Sequence, residues 1–388
     1  MAAIDELVAF LERRFASQIR SKRVLPAVPA RTVPLPEGLE PRLREILQNQ
    51  GITQLYAHQG EAFEAIGAGH HTVVVSSTAS GKTLAYLLPI LDRYLRAPAP
   101  FSVLLLHPTK ALSRDQESTL GRILREVVPD RQKVGTFDGD SPRDVRQAVL
   151  RHADFVLTNP DMLHSGILPN HNRRWRPFLS RLAFIVVDEV HTYRGAFGSH
   201  VANVFRRLRR VCELHGSAPI FICSSATVGN PAEHVQALFH APFRVIESDG
   251  APRPERTLYF VNPPLVSTED GMPFRKGPSS VTAPLIREAA ARGVRTICFC
   301  RARQEVERLT RRMVEANPAL HDTVRPYRGG LLPSERRQLE RDLFEGRLTA
   351  IVTTNALELG IDIGDLSLAI LSGHPGSVAS FWQQAGRV

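Results

Sequence analysis

The stretch HTVVVSSTASGKTLAYLLPIL (71–91) decides the fold. Three consecutive valines without polar alternation predict a strand buried on both faces, and LAYLLPIL predicts the helix that follows it. Between them, SSTASGKT (76–83) has the small residues of a phosphate-binding loop. Such a loop presents backbone N–H groups and a helix N-terminus to phosphate oxygens. Lys82 then neutralises the β and γ phosphates, and Thr83 reaches Mg²⁺. The pattern departs from GxxxxGK[ST] in one place, because Ser76 occupies the first glycine position.

Outward from this loop the same alternation repeats. FSVLLLHP, DFVLTNP, LAFIVVDE and PIFICSSAT are short apolar runs separated by helical stretches, which predicts a parallel sheet covered on both faces. Between 249 and 280 the chain turns to proline, glycine and charge, the composition of an interdomain connection. The alternation restarts with VRTICFC, DTVRPYRGG, LTAIVTTN and LSLAILSG, so a second α/β domain is expected. Toward the start, Ile4, Leu7, Val8, Leu11 and Phe15 fall at helical spacing. RSKRVLPAVPARTVPLPEG then reads as an extended basic connector rather than a core element. The expected organisation is a helix and connector over 1–50, an ATP-binding domain over 51–248, a connection over 249–280 and a second domain over 281–388.

With 388 residues, 43% apolar and 23% charged, the chain has the composition of a soluble protein of two to three domains. No apolar run approaches the roughly 18–20 residues that span a bilayer. MAAIDELVAFLERRF mixes acids and arginines into its apolar pattern, unlike a signal peptide, so a cytoplasmic protein is expected. Forty-nine basic against thirty-nine acidic residues give +10 and a pI near 9.9, a balance that favours an anionic partner such as nucleic acid. Cys212, Cys223, Cys298 and Cys300 form no CxxC pair and read as buried reduced thiols.

The apolar run IVVDEVH (185–191) ends abruptly in Asp188-Glu189. Two adjacent carboxylates after a buried strand are costly unless a cation stands opposite. In a nucleotide-binding sheet, Asp188 holds Mg²⁺ and Glu189 orients and deprotonates the attacking water. The loop and the acid pair, each after an apolar strand, point to ATP hydrolysis.

Nine motifs occur in order: LYAHQ (55–59), TASGKT (78–83), PTKAL (108–112), TNPDML (158–163), DEVH (188–191), SAT (225–227), YRGGL (327–331), TTNALELGID (353–362) and QQAGR (383–387). In this the chain resembles the superfamily 2 helicases from residue 51 onward. TNPDMLH and DEVHTYRGAFGSH are narrower, and resemble the MrfA/YprA-type DEVH-box DNA helicases of the RecQ-four-like group. The resemblance implies two RecA-like parallel-sheet domains in tandem, a P-loop NTPase helicase core. It implies an ATP- and Mg²⁺-dependent motor that moves 3′ to 5′ on single-stranded DNA or DNA with a 3′ tail, in DNA repair, on the bacterial nucleoid when bound.

Residue by residue, it places Gln59 at the adenine edge with Tyr56 near the base. Ser80, Gly81, Lys82 and Thr83 would hold phosphates and metal, and Asp188 and Glu189 keep the roles given above. His191 would couple hydrolysis to movement through Ser225, Ala226 and Thr227. Asp362 and Arg387 would approach the nucleotide from the second domain. Thr109, Lys110, Asn159, Arg301, Thr353 and Thr354 would contact the nucleic-acid backbone, as a motor indifferent to base sequence requires. The family continues past QQAGR into a second arginine and a four-cysteine metal site. On that comparison the second domain is C-terminally incomplete, the chain ends within its last motif, and slow turnover is expected.

Two alternatives stay open at this stage: a nucleotide-gated nucleic-acid clamp with little turnover, and an RNA helicase on the same fold. Protein partners are not legible. Among incidental features, His70-His71 reads as a strand cap rather than a metal pair, Trp382 as packing, and FRRLRRV (205–211) as the solvated face of a helix. Trp175, in HNRRWRPF, is divided between packing and base stacking.

Overall fold

The computed structural model describes residues 2–77, 80–108, 110–127, 133–227, 229–267, 271–358 and 366–388. The chain divides into two compact units, one of Pro29–Arg253 and one that joins Met1–Val28 to Pro254–Val388.

The first unit is built on seven parallel strands: β1 (Thr72–Val75), β2 (Ser102–Leu106), β3 (Val134–Thr136), β4 (Phe155–Thr158), β5 (Leu182–Val187), β6 (Ile220–Ser225) and β7 (Arg244–Ile246), in the order β7-β1-β6-β5-β2-β4-β3. Val75 pairs with Ser225, Val187 with Cys223, and Leu106 with both Val187 and Thr158. The motif-bearing strand ends are therefore level at one edge of the sheet. The unbroken apolar runs are explained by two cores. Val73, Val75, Leu104, Leu106, Ile185 and Val187 enter one, and Val74, Val103, Leu105, Phe184 and Val186 enter the other. Alternation is present, but both faces are dry. Helix α1 (Lys82–Arg96) covers the second face with Tyr86, Leu87, Ile90 and Leu91. Helix α2 (Gly195–Leu214) covers the first with Val201, Phe205 and Leu208.

The second unit holds four parallel strands, β8 (Thr296–Cys300), β9 (Val324–Tyr327), β10 (Ala350–Thr353) and β11 (Leu368–Ser372), in the order β9-β10-β8-β11. Cys298, Val352, Ile370, Val306 and Met313 form its core. All four cysteines of the chain are buried. The helix Ala2–Arg14 belongs to this unit: Leu7 packs with Ala289 and Val294, and Leu11 and Phe15 with Val281.

Two segments read from composition as connectors carry structure. Ile19–Leu25 is a strand paired antiparallel with Arg256–Val261, and Leu265–Ser267 pairs with Pro273–Arg275. A two-stranded ribbon accepts charged side chains on its open face, so basic and proline-rich composition does not exclude pairing.

Candidate nucleotide-binding site

The loop after β1 is drawn in on itself. Gly81 has φ +76, the left-handed region that glycine enters without strain, and it directly precedes α1. A Cβ there would also stand 2.6 Å from Gln59 Nε2. Gln59 uses that space: Nε2 donates to the Gly81 carbonyl (3.0 Å), and Oε1 accepts from Tyr56 N–H (2.9 Å). Both ends of the Gln59 amide are thus engaged within the protein. The hydroxyls of Ser76 and Ser80 are 2.6 Å apart, and Ser76 N–H donates to Ser225 O (3.2 Å). The serine that replaces the pattern's glycine is held by the loop and by β6. Lys82 Nζ donates to the carbonyls of Ser76 (3.2 Å) and Ser77 (2.9 Å), and Thr83 follows in the first turn of α1.

Asp188 leaves β5 with its N–H still bonded to Leu106 O (2.9 Å). Its Oδ1 accepts from Ser224 Oγ and from Glu189 N–H (3.0 Å), and Oδ2 lies 3.3 Å from His107 Nδ1. Burial pushes this carboxyl up. His107, the Ser224 hydroxyl and the Lys82 charge outweigh burial and hold it below the usual carboxylate range. The cationic and donor groups that the acid pair requires are therefore Lys82, His107 and Ser224. Glu189, also buried, adopts φ +49 and ψ +45, a left-handed conformation that costs a residue with a Cβ about 1–2 kcal/mol and occurs at functional sites.

His191 joins the acid pair to β6. Its Nδ1 accepts from Ala226 N–H (3.2 Å) and lies 3.5 Å from Ser225 Oγ and 3.3 Å from Glu189 Oε2. Burial, followed by the charges of Lys82 and Arg194, pushes this imidazole down to about 3. A neutral ring whose Nδ1 is an acceptor makes no ion pair with Glu189. Ser225 is buried, and Thr227 is exposed.

Several participants carry no motif spacing. Asp249 Oδ2 accepts from Ser77 N–H (3.0 Å) and Oδ1 from Ala251 N–H (3.2 Å), and Gly250 N–H donates to His58 Nδ1 (3.3 Å). Gly250 also bonds Arg31 N–H through its carbonyl (2.9 Å), and a Cβ there would stand 2.6 Å from both Ala57 N and Arg31 O. Residues 249–251 are thereby threaded between the loop and Tyr56–Gln59. Burial lowers His58. Burial opposes but does not prevent the lowering of Asp249 by the Ser77 and Ala251 N–H groups. The turn-forming Asp-Gly pair is the one signal the sequence offered here. His107 and Ser224 were signalled only as polar residues at the ends of apolar runs.

The remaining expected residues are distributed as follows. Asn159 is nearly buried and caps the short helix Pro160–Met162, its Oδ1 accepting from Met162 N–H (2.9 Å). In the second unit Phe299 of β8 pairs with Thr353 of β10, which brings Arg301 and Thr354 to neighbouring strand ends. Arg301 is exposed, Thr354 nearly buried and Thr353 fully buried. Arg387 Nη2 donates to Glu358 O (2.7 Å), and Gln384 Nε2 to Glu358 Oε2 (2.9 Å). Thr109 and Asp362 lie outside the described residues, as does the side chain of Lys110.

In the first unit, parallel strands thus bring a lysine-bearing phosphate loop, an ionised aspartate and an adjacent glutamate to one edge, a set suited to a metal-bound nucleotide and a water. Residues 56–235 match the model of the DEAD/DEAH box helicases, and residues 281–388 that of the helicase conserved C-terminal domain. The chain belongs to the DEAD/DEAH box helicase family. It is 46% identical over 360 residues to the ATP-dependent helicase YprA of Bacillus subtilis, covering 92% of this chain and 47% of that one. To the ATP-dependent helicase HRQ1 of Saccharomyces cerevisiae it is 38% identical over 385 residues, covering 96% and 35%. The crystal structure of helicase MrfA bound to DNA and AMPPNP superimposes with a TM-score of 0.91 at 43% identity, covering 99% of this chain and 53% of that one. The chain spans half or less of the length of these curated relatives.

Within this helicase fold the incidental residues find ordinary places. Trp175 is in the core, edge-on to Phe137 (4.9 Å) and Phe178 (5.5 Å), which excludes base stacking. Trp382, expected to pack, lies edge-on to Phe381 (5.1 Å) although 46% exposed, and Phe381 in turn stacks on Phe260. His71 Nδ1 accepts from Phe221 N–H (3.0 Å). Among the described residues no cluster of three or more metal-ligating side chains occurs. No described helix is long and apolar enough to cross a membrane.

Proposed function

We propose that the chain is the motor core of an ATP-dependent DNA helicase, moving 3′ to 5′ along single-stranded DNA in the service of DNA repair, in the cytoplasm. One observation carries the reading. The Lys82 loop and the Asp188-Glu189 pair leave β1 and β5, and the strand between them, β6, touches both through Ser225 and Ser224. DNA as the substrate is supported by the DNA-bound MrfA structure.

On this reading residues 51–248 bind ATP and residues 281–388 form the second motor domain. Lys82, Ser80, Gly81 and Thr83 hold the phosphates, and Gln59 acts on the base side through its bond to Gly81. Mg²⁺ takes few protein ligands, with one or two carboxylates beside phosphates and water. Asp188, buried yet held ionised, fits that demand with Thr83. When bound, the ion would neutralise charge on the phosphates. Glu189 accepts the proton of the attacking water, and His191 relays the change in its surroundings to Ser225 and Thr227. Asn159, Thr109, Lys110, Arg301 and Thr354 are the proposed backbone contacts, with Thr353, fully buried, acting only by positioning Thr354. Asp362 and Arg387 are the second domain's proposed contribution to turnover.

The test is ATP hydrolysis with and without single-stranded DNA, with RNA of the same sequence alongside. Glu189→Gln should retain nucleotide binding and lose hydrolysis by about 10² to 10⁴, whereas Lys82→Ala should weaken binding itself. Wild-type hydrolysis by Glu189→Gln, or equal stimulation by RNA, would remove the base assignment or the DNA assignment respectively. Duplexes with 3′ or 5′ tails test direction.

A further inference from the structure

We propose that the arginine-lined groove along α2 is a second grip on single-stranded nucleic acid, continuing the strand's path beyond Asn159. This rests on the helicase reading above, which places Asn159 on the strand. The groove, about 930 Å³, begins at Pro160 and Asp161, directly after Asn159, and runs beside α2. Four arginines, Arg206, Arg207, Arg209 and Arg210, line it together with two acidic residues, Asp161 and Glu213.

The four arginines are not equivalent. Arg206 bonds His240 and Asn203, and Arg209 Nη1 donates to Phe239 O (2.8 Å), so these two fasten α2 to the neighbouring helix Pro231–Phe239. Among the described residues Arg207 and Arg210 have no hydrogen-bond or carboxylate partner. They are held one helical turn apart with their charge unanswered. Phe197 lies on the same groove, 47% exposed, beside the exposed His200. Unpaired cations with an accessible aromatic face make the arrangement that binds single strands without regard to sequence: the cations take phosphates and the ring takes a base. An acidic peptide would answer the charge equally well. Continuity with Asn159 favours a nucleic-acid strand.

The test uses the full chain and fluorescent oligothymidylates of about 8 and about 20 nucleotides, the short one spanning a single grip. Wild type should bind the longer strand about 10-fold more tightly than site number alone predicts. Arg207→Gln with Arg210→Gln should bind the short strand normally, lose most of that gain, and show a log–log salt slope on the long strand shallower by about 1.4, for two phosphates. Phe197→Ala should reduce the gain while leaving the salt slope unchanged. These side chains are at the surface, and circular dichroism checks that the variants are folded. Retention of the full gain and slope by the double variant would overturn the groove proposal while leaving the helicase reading intact. So would a glutamate-rich peptide that binds wild type but not the double variant while the DNA gain is unchanged. Failure of wild type to bind even the short strand would instead overturn the helicase reading, and the groove proposal with it.

Discussion

Burial drives the imidazole of His191 toward its neutral form, and Lys82 and Arg194 push in the same direction, to about 3. His58 and His71 are lowered as well, chiefly by burial. Between an unfolded-state value near 6.5 and these folded values, the unfolded chain binds more protons than the folded one. Stability is therefore complete above about pH 6.5 and is lost as pH falls through that window, by at most about 1.4 kcal/mol per pH unit for each histidine. His191→Gln removes one of these groups. Urea unfolding between pH 7 and pH 5 should show the variant losing about 1–2 kcal/mol less than wild type over the interval. Parallel pH profiles would mean that His191 is solvated. The sequence showed that a histidine follows the acid pair, but not which atom of it would be used. That depends on Ala226, thirty-five residues away in sequence and adjacent only because β5 and β6 pair. Asp249 and His58 were illegible for the same reason: their partners are set by how a connecting segment threads past the loop.

Elements were more legible than their partners. VVV, VLLL, FVLT and FIVV each became strands because short runs unbroken by charge, and rich in apolar side chains, have no solvent face to offer. IRSKRVL failed the same test and is a strand all the same, since its partner Arg256–Val261 covers an edge rather than a face. Trp175 was ambiguous because arginines flank it in sequence, whereas its contacts come from Phe137 and Phe178. Helix α2 shows a constraint that spacing alone did not disclose. A Cβ at Gly198 would stand 2.4 Å from the Tyr193 carbonyl oxygen, so the start of α2 rests directly on the segment leaving the acid pair. Alanine normally favours a helix over glycine by about 1 kcal/mol. Here backbone must move, and overpacking should outweigh propensity, for a net loss of about 1–3 kcal/mol. Gly67, the last residue of the helix Ala57–Gly67, has open space where a Cβ would stand and no left-handed φ. Thermal unfolding should therefore rank Gly198→Ala below Gly67→Ala, and the reverse order would show that the contact yields easily.

At the scale of the molecule the second unit is discontinuous, and the chain passes between units at 28–29 and again at 253–254. Leu11 and Phe15 are buried against Val281, not against any residue of the first unit's cores. Truncating either to alanine should cost about 2–5 kcal/mol, and the cost should fall on one unit. Hydrogen exchange should accelerate in Ser279–Ala291 and Arg256–Val261 while Lys82–Arg96 keeps its protection. Equal acceleration in all three would mean that the units unfold as one. The pairing of Leu25 with Arg256 joins positions about 230 residues apart. At a synthesis rate of roughly 5–20 residues per second, a nascent chain exposes Leu7, Leu11 and Phe15 on the order of tens of seconds before their partners leave the ribosome. During that interval the intervening 225 residues can complete a folded unit of their own. The helix Ala2–Arg14 is thus made well before the residues that bury it, and a chaperone would have that interval in which to act on it.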